Sequence, residues 1–270
     1  RQSLNKDFSY NVSLNVTAMK NEVTGLMDDI YYTWGGGNGR DKSIVGQPLG
    51  SWMGYKTDGI FRTQEEVDAY REKYKVSFGN PAVGRVRYVD TDGDGEISDR
   101  DRTWLGTDLP KAQFGLNLGA NWKGFDLSLF FNSIIRDAWN NSKFYTDFFP
   151  LWTGNHGTQL LGAAAAYDRY LETGYYDSDV PAPQVDNSNG ENEGSEYYIE
   201  DGSFVRLKTL SLGYTLPKNI QQKLCLKNAR VYFQAQNLFT ITKYSGADPE
   251  GLGYPYALPR QYTFGIQFGF

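Results

Sequence analysis

The sequence predicts an all-β protein, a run of strands from an antiparallel transmembrane β-barrel. Three observations carry this: long segments that alternate apolar and polar residues, connections that are alternately short and long, and an aromatic terminal strand. In the last segment Tyr262, Phe264, Ile266, Phe268 and Phe270 fall on one face, and Gln261, Thr263, Gly265, Gln267 and Gly269 on the other. A strand with one apolar face and one polar or glycine face fits a wall between lipid and an aqueous or plugged lumen.

The same pattern recurs along the chain. Phe8, Tyr10, Val12, Leu14, Val16 and Ala18 alternate with Asp7, Ser9, Asn11, Ser13, Asn15 and Thr17. Residues 43–57 form a weaker strand candidate. Phe114, Leu116, Leu118, Ala120 and Trp122 alternate with Gln113, Gly115, Asn117, Gly119 and Asn121, and Phe125, Leu127, Leu129 and Phe131 follow. Leu210, Leu212, Tyr214 and Leu216, then Val231, Phe233 and Ala235, complete the set of seven candidates. These segments exceed the five or six residues usual in globular sheets and match the 9–11 or so that a tilted membrane strand requires. The polar face is rich in Asn, Gln, Ser, Thr and Gly, which suits a lumen.

Connection lengths supply an independent test, because outer-membrane barrels pair short periplasmic turns with long extracellular loops. Counting back from Phe270, residues 243–259 become an outer loop and 217–227 a periplasmic turn. Residues 137–202 lie outside, Trp122-Lys123-Gly124-Phe125 is a tight periplasmic turn, and residues 58–111 lie outside again. The one exception is the stretch 21–42, which this count makes a long periplasmic connection.

Composition agrees. Mean hydropathy is strongly negative, and barrel strands are individually weak hydropathy signals. Aromatic residues make up 16% of the chain, available for interfacial girdles or for ordinary strand packing. A net charge of −5 argues against a nucleic-acid partner. The single cysteine, Cys225, excludes an internal disulfide, and its place in the amphipathic turn 218–227 predicts a packed residue. The polar, acidic run 186–201 reads as a solvated or mobile outer loop. Seven strands in 270 residues do not make the even count of a bacterial barrel, so the chain reads as the C-terminal portion of a larger one.

The most specific chemical motif is Asp90-Thr91-Asp92-Gly93-Asp94-Gly95-Glu96-Ile97-Ser98-Asp99-Arg100-Asp101. Carboxylates at positions 1, 3 and 5, glycine at 6, a backbone carbonyl at 7 and an acid at 12 match the twelve-residue calcium loop of an EF-hand. The predicted metal site is therefore Asp90, Asp92, Asp94, Glu96 and Asp101, with Ca²⁺ as a structural ion or Mg²⁺ in its place. Gly95 allows the sharp turn and Ile97 pins the loop inward. Asp101 replaces the usual Glu at position 12, and residues 86–89 read as extended, so this is a calcium loop without the flanking helix. The bound ion would hold the segment 89–104 rigid to support docking, not catalysis.

Other constellations carry little. Gly35-Gly36-Gly37-Asn38-Gly39 lacks the spacing and following helix of a dinucleotide fingerprint. His156 is the only histidine, and no acid pair can be assigned as a glycosidase would require. No catalytic residue is assigned and the chain is not read as an enzyme. Trp139, Trp152, Tyr175 and Tyr176 in the outer segments could stack on sugar rings or peptide side chains, or pack locally.

Several segments together resemble the SusC/RagA family of TonB-dependent outer-membrane importers. These are Val45-Gly46-Gln47-Pro48-Leu49-Gly50-Ser51 with Gly54-Tyr55-Lys56-Thr57-Asp58-Gly59-Ile60-Phe61, the loop 90–102 followed by Gly106, Lys123-Gly124-Phe125-Asp126-Leu127-Ser128, and the stretch from Ile199 to Lys208. Leu212-Gly213-Tyr214-Thr215-Leu216-Pro217, Gln236-Asn237-Leu238-Phe239-Thr240 and Tyr244-Ser245-Gly246-Ala247-Asp248-Pro249-Glu250 complete the match, in family order, over residues 45–270.

The resemblance implies a plugged barrel of about 22 strands in the outer membrane of a Gram-negative bacterium. It implies a SusD-like surface lipoprotein as lid, glycans or oligopeptides as substrate, and drive by the TonB complex through an N-terminal plug and TonB box, which this sequence does not contain. The chain would contribute the last wall strands and the outer loops. Two alternatives from other classes are a secreted calcium-stabilised carbohydrate-binding β-sandwich and a surface glycosidase. The sandwich would turn Phe114, Leu127, Phe264 and Phe268 inward against a second sheet.

Overall fold

A computed structural model describes residues 2–3, 7–27, 32–33, 41–147, 156–183, 188–251 and 256–270. The glycine-rich run 35–39 and Trp152 lie outside the described residues. Seven strands form one antiparallel sheet in strict sequence order: β1 (Gln2–Ser3), β2 (Phe8–Thr17), β3 (Ala112–Trp122), β4 (Phe125–Ile135), β5 (Phe204–Thr215), β6 (Asn228–Thr242) and β7 (Gln261–Gly269).

The register lines up the apolar alternation across the whole sheet. One row runs Tyr10, Ala120, Leu127, Leu212, Phe233 and Phe264, and the next runs Val12, Leu118, Leu129, Leu210, Ala235 and Tyr262. This face is open. Even in mid-sheet Leu212 and Val231 are 43% and 42% exposed, and Phe264 reaches 80%. Leu127 and Phe268 are exposed and Phe114 is half-buried. Among the described residues no second sheet covers the apolar face, so the sandwich alternative is wrong. A soluble protein rarely leaves so large an apolar surface in water.

The two ends of the sheet differ. At one edge Lys123 and Gly124 alone connect β3 to β4, with φ of 47° and 90°. Two successive left-handed residues make the primed hairpin turn whose twist matches the strands it joins. Residues 216–227 link β5 to β6 at the same edge through a short helix, Lys218–Lys223. Cys225 there is exposed, with φ 54°. The expectation of a packed cysteine is wrong, because the helix ends before it and turns its side chain to solvent. At the opposite edge lie the connections 18–111, 136–203 and 243–260.

The weak strand at 43–57 is not part of the wall. Asp41–Ile44 and Ser51–Tyr55 join Tyr32–Thr33 and Arg102–Thr107 in a separate four-stranded sheet at the long-loop edge. The seventh wall strand is Gln2–Ser3 instead. This reverses the direction assigned to Phe8–Thr17 and moves residues 21–42 to the long-loop edge. The one exception to the connection-length rule therefore disappears.

The buried hydrophobic core sits outside the wall. The first two long connections fold together, with Tyr55, Phe61, Val67, Val86 and Ile97 from the first packed against Ala166, Tyr176 and Ala182 from the second. Neither is a simple loop. Gln64–Lys73 is a helix whose Thr63 side chain accepts from Glu66 N, with acids in its first turn and Arg71 and Lys73 in its last, complementing the helix dipole. Gln159–Thr173 is a second helix, burying Leu160, Ala163 and Ala166. Here i, i+3, i+6 spacing turns one face of an alanine-rich run toward the core.

Candidate functional site

The carboxylate loop is built by its own side chains. Asp90 accepts from Gly93 N at 2.6 Å and Gly95 N at 3.0 Å, Asp92 from Asp94 N at 3.1 Å, and Asp94 from Glu96 N at 2.8 Å. Gly93 and Gly95 have φ of 77° and 80°, a backbone that side-chain-bearing residues resist. Successive aspartates capping nearby N–H groups wind the chain so that oxygens of Asp90, Asp92 and Asp94 lie within 4.8 Å of one another. Three hard, anionic oxygens converging in this way fit Ca²⁺ or Mg²⁺.

The other two predicted site residues are engaged elsewhere. The Glu96 carboxylate accepts from Ser77 Oγ and, at 2.9 Å, from Lys75 Nζ. The Ser77 hydrogen bond, then Lys75, holds its pKa below the usual carboxylate value. Asp101 is fully buried and closes the loop from inside, accepting from Thr91 N at 2.7 Å and Ser98 N at 2.8 Å. Ile97 is fully buried in the core of the cap that the first two long connections form together, the inward anchor expected of position 8.

A relay ties this loop to the second connection. Tyr55 donates to Asp99 at 2.7 Å and accepts from Arg102 Nε at 3.0 Å, while Arg102 pairs with Glu193 at 3.3 Å. Burial, then the Asp99 hydrogen bond, raises the Tyr55 pKa and keeps the phenol neutral as donor. Beside it Tyr55 N donates to Gly194 O at 2.9 Å. The two segments approach so closely that a Cβ on Gly54 would stand 2.1 Å from that carbonyl oxygen.

The run 186–201 is therefore not a solvated loop in its described part. Asn189, Glu191 and Ser195 are buried. Glu191 accepts from Arg85 Nη1 at 2.8 Å and Val86 N at 3.0 Å, and Asn189 donates to Val86 O at 2.9 Å. These polar side chains are satisfied by partners about a hundred residues away, which local composition does not reveal. Two of the proposed stacking aromatics are also core. Trp139 stacks on Tyr198 at 5.3 Å, and Tyr176 is fully buried; among the described residues of that set Tyr175 alone is exposed.

The third long connection folds back onto the polar face of the wall. Arg206 on β5 pairs with Asp248 at 2.8 Å and Glu250 at 2.6 Å, and donates to Thr240 on β6 at 2.7 Å. Lys208 reaches Glu250 at 2.6 Å. Further along, Ser245 donates to Glu200 from both N and Oγ, at 2.9 and 2.8 Å. Residues 243–250 are thus a strap tied both to the wall and to the second connection. Nearer the short-turn edge Arg230 on β6 reaches across Gly213 on β5 to Asp126 on β4. A Cβ on Gly213 would stand 2.3 Å from the Arg230 guanidinium. Local sequence signals none of these ion pairs, although all of their residues except Arg230 lie in the segments quoted above for the family resemblance.

No protein-family model matches the chain. It is 32% identical over 258 residues to TonB-dependent receptor P3 of Formosa agariphila, covering 93% of this chain and 24% of that protein. It is 28% identical over 271 residues to TonB-dependent receptor SusC of Bacteroides thetaiotaomicron, covering 96% of this chain and 24% of that one. The solved RagAB peptide transporter superposes with a TM-score of 0.70 at 29% identity, over 99% of this chain and 28% of its own. The chain spans about a quarter of the length of the relatives it matches. The aligned apolar rows, the open outer face and these relatives agree: the chain belongs to the SusC/RagA family of TonB-dependent receptors.

Proposed function

We propose that this chain supplies the last wall strands and part of the outer cap of an outer-membrane importer. The observation that carries this is the uncovered apolar band across the seven-stranded sheet, with long connections gathered at one edge. That geometry calls for lipid on one side and a lumen on the other. The short-turn edge then faces the periplasm and the cap faces outward, over residues 18–111, 136–203 and 243–260. The importer takes up glycans or oligopeptides without covalent chemistry, with a SusD-like lipoprotein as lid and TonB as drive. The support for this finer reading is the kinship with SusC and with RagAB.

The loop of Asp90, Asp92 and Asp94, with the Glu96 carbonyl beside them, binds Ca²⁺ while Asp101 braces the loop from inside, and the bound ion stiffens the outer cap for lid or substrate docking. The experiment for the barrel reading uses the complete parent receptor in detergent. Unheated protein should migrate faster than heated protein on electrophoresis, and identical migration would overturn the reading.

A further inference from the structure

The short-turn edge carries a chemistry of its own. The turn 123–124 and the connection 216–227 contain Lys123, Lys218, Lys223 and Lys227 and no acidic residue. Apart from Asp126 in the wall and Asp7, whose carbonyl accepts from Lys123 N at 3.2 Å at this same edge, every carboxylate side chain of the sequence falls in the three connections at the opposite edge. All four lysines are exposed, and among the described residues none of them makes an ion pair. Lys123 Nζ stands 5.7 Å from the Trp122 ring centroid. Ile220 and Leu224 are exposed between the lysines of residues 216–227.

Directly above this rim the apolar face is not smooth. Val231 is the one short side chain amid Phe125, Tyr214, Phe233 and Phe264, and together with Leu212 these residues line a groove on the lipid side of β4 to β7. An aromatic row marks its lower end, with Trp122 and Phe125 at 6.4 Å and Phe125 and Tyr214 at 4.5 Å, where amphipathic rings meet lipid headgroups. Lys218 and Lys227 flank the ends of the two strands that form the groove floor.

We propose that this rim is a binding site for an anionic glycerophospholipid. The four lysines hold the phosphate group, Ile220 and Leu224 dip among the upper acyl carbons, and one acyl chain lies in the groove beside Val231. Charge complementarity selects the occupant: an unpaired basic rim at the foot of an apolar slot attracts a negative headgroup with a tail. The proposal rests on the barrel reading above.

The test uses the complete receptor, reconstituted in nanodiscs of equal parts phosphatidylglycerol and phosphatidylcholine, extracted in mild detergent and analysed by native mass spectrometry. The parent should retain phosphatidylglycerol in preference to phosphatidylcholine. Each Lys→Gln change should reduce that preference by roughly fivefold, and the fourfold Lys→Arg variant should keep it. Inorganic phosphate at millimolar concentration should not displace the lipid; displacement would mean a free-phosphate site and overturn the proposal. Equal retention of both lipids by the parent, or unchanged preference in the fourfold Lys→Gln variant, would also overturn it. Heat-dependent migration measured on the same samples separates the two readings, because its presence keeps the barrel while the lipid result decides the rim.

Discussion

Arg206 and Asp248 meet at 2.8 Å with both side chains 4% exposed, joining a wall strand to a strap 42 residues further on. Arg206 is almost wholly shielded from water, so its charge depends on Asp248 and Glu250. A buried ion loses more from losing its partner than the pair gains over an apolar substitute. Asp248→Asn or Arg206→Ala should therefore cost about 3–5 kcal/mol and release residues 243–250 to protease. The double variant Arg206→Met with Asp248→Leu should recover much of that. Equal protease resistance in parent and single variants would sink this view.

The strap should also let go in acid. Burial opposes ionisation of Asp248, but the N–H groups of Leu258 and Glu250 and the Arg206 guanidinium outweigh it and hold its pKa below the usual value. Glu200 is lowered likewise: burial opposes, and Ser245, Lys143 and Asn140 outweigh it. A carboxylate with a depressed folded pKa contributes stability fully above its unfolded value, about 4, and loses it as pH falls through the folded value. Limited proteolysis should show the strap intact from pH 7 down to about 4 and freed below. Release already at pH 6 would point to a different group.

Gly54 and Gly213 give a graded pair of substitutions. A Cβ at Gly54 meets the Gly194 carbonyl oxygen, which is backbone and cannot swing aside, whereas a Cβ at Gly213 meets the mobile end of Arg230. Gly54→Ala should cost about 1–3 kcal/mol and separate the two halves of the cap. Gly213→Ala should cost less, turning Arg230 away from Asp126. Thermal unfolding of both variants in the complete receptor would check the ranking, and a reversed order would contradict it.

How much was legible beforehand follows from the range of each interaction. Strand alternation and the Lys123-Gly124 turn are local, so Phe264, Leu127 and Trp122 took their predicted faces. The cap was largely illegible because its cohesion is long-range: Glu191 is polar in sequence and buried only because Arg85 and the Val86 N–H group meet it. Residues 51–55 alternate weakly and were placed in the wall, whereas pairing with Arg102–Thr107 puts them in the cap. The helix Gln159–Thr173 does carry a local signal, the spacing of Leu160, Ala163 and Ala166, but it is weak because alanines contribute little apolar contrast. In the loop 90–101 oxygens of Asp90, Asp92 and Asp94 converge, while the Asp101 side chain serves backbone N–H groups.

That division of labour within the loop yields a last prediction. If Asp90, Asp92 and Asp94 hold Ca²⁺ while Asp101 braces the backbone, the two kinds of site residue should fail differently. Asp92→Asn removes charge from the cluster and should weaken Ca²⁺ binding at least about tenfold by calorimetry, leaving the metal-free fold intact. Asp101→Asn offers an N–H donor where Ser98 N and Thr91 N need acceptors, and should cost about 1–3 kcal/mol with or without metal. Chelation should open the segment 89–104 to protease in the parent, and in Asp92→Asn that segment should already be open at low micromolar Ca²⁺. Cleavage indifferent to chelator in the parent would show that no ion stiffens this loop.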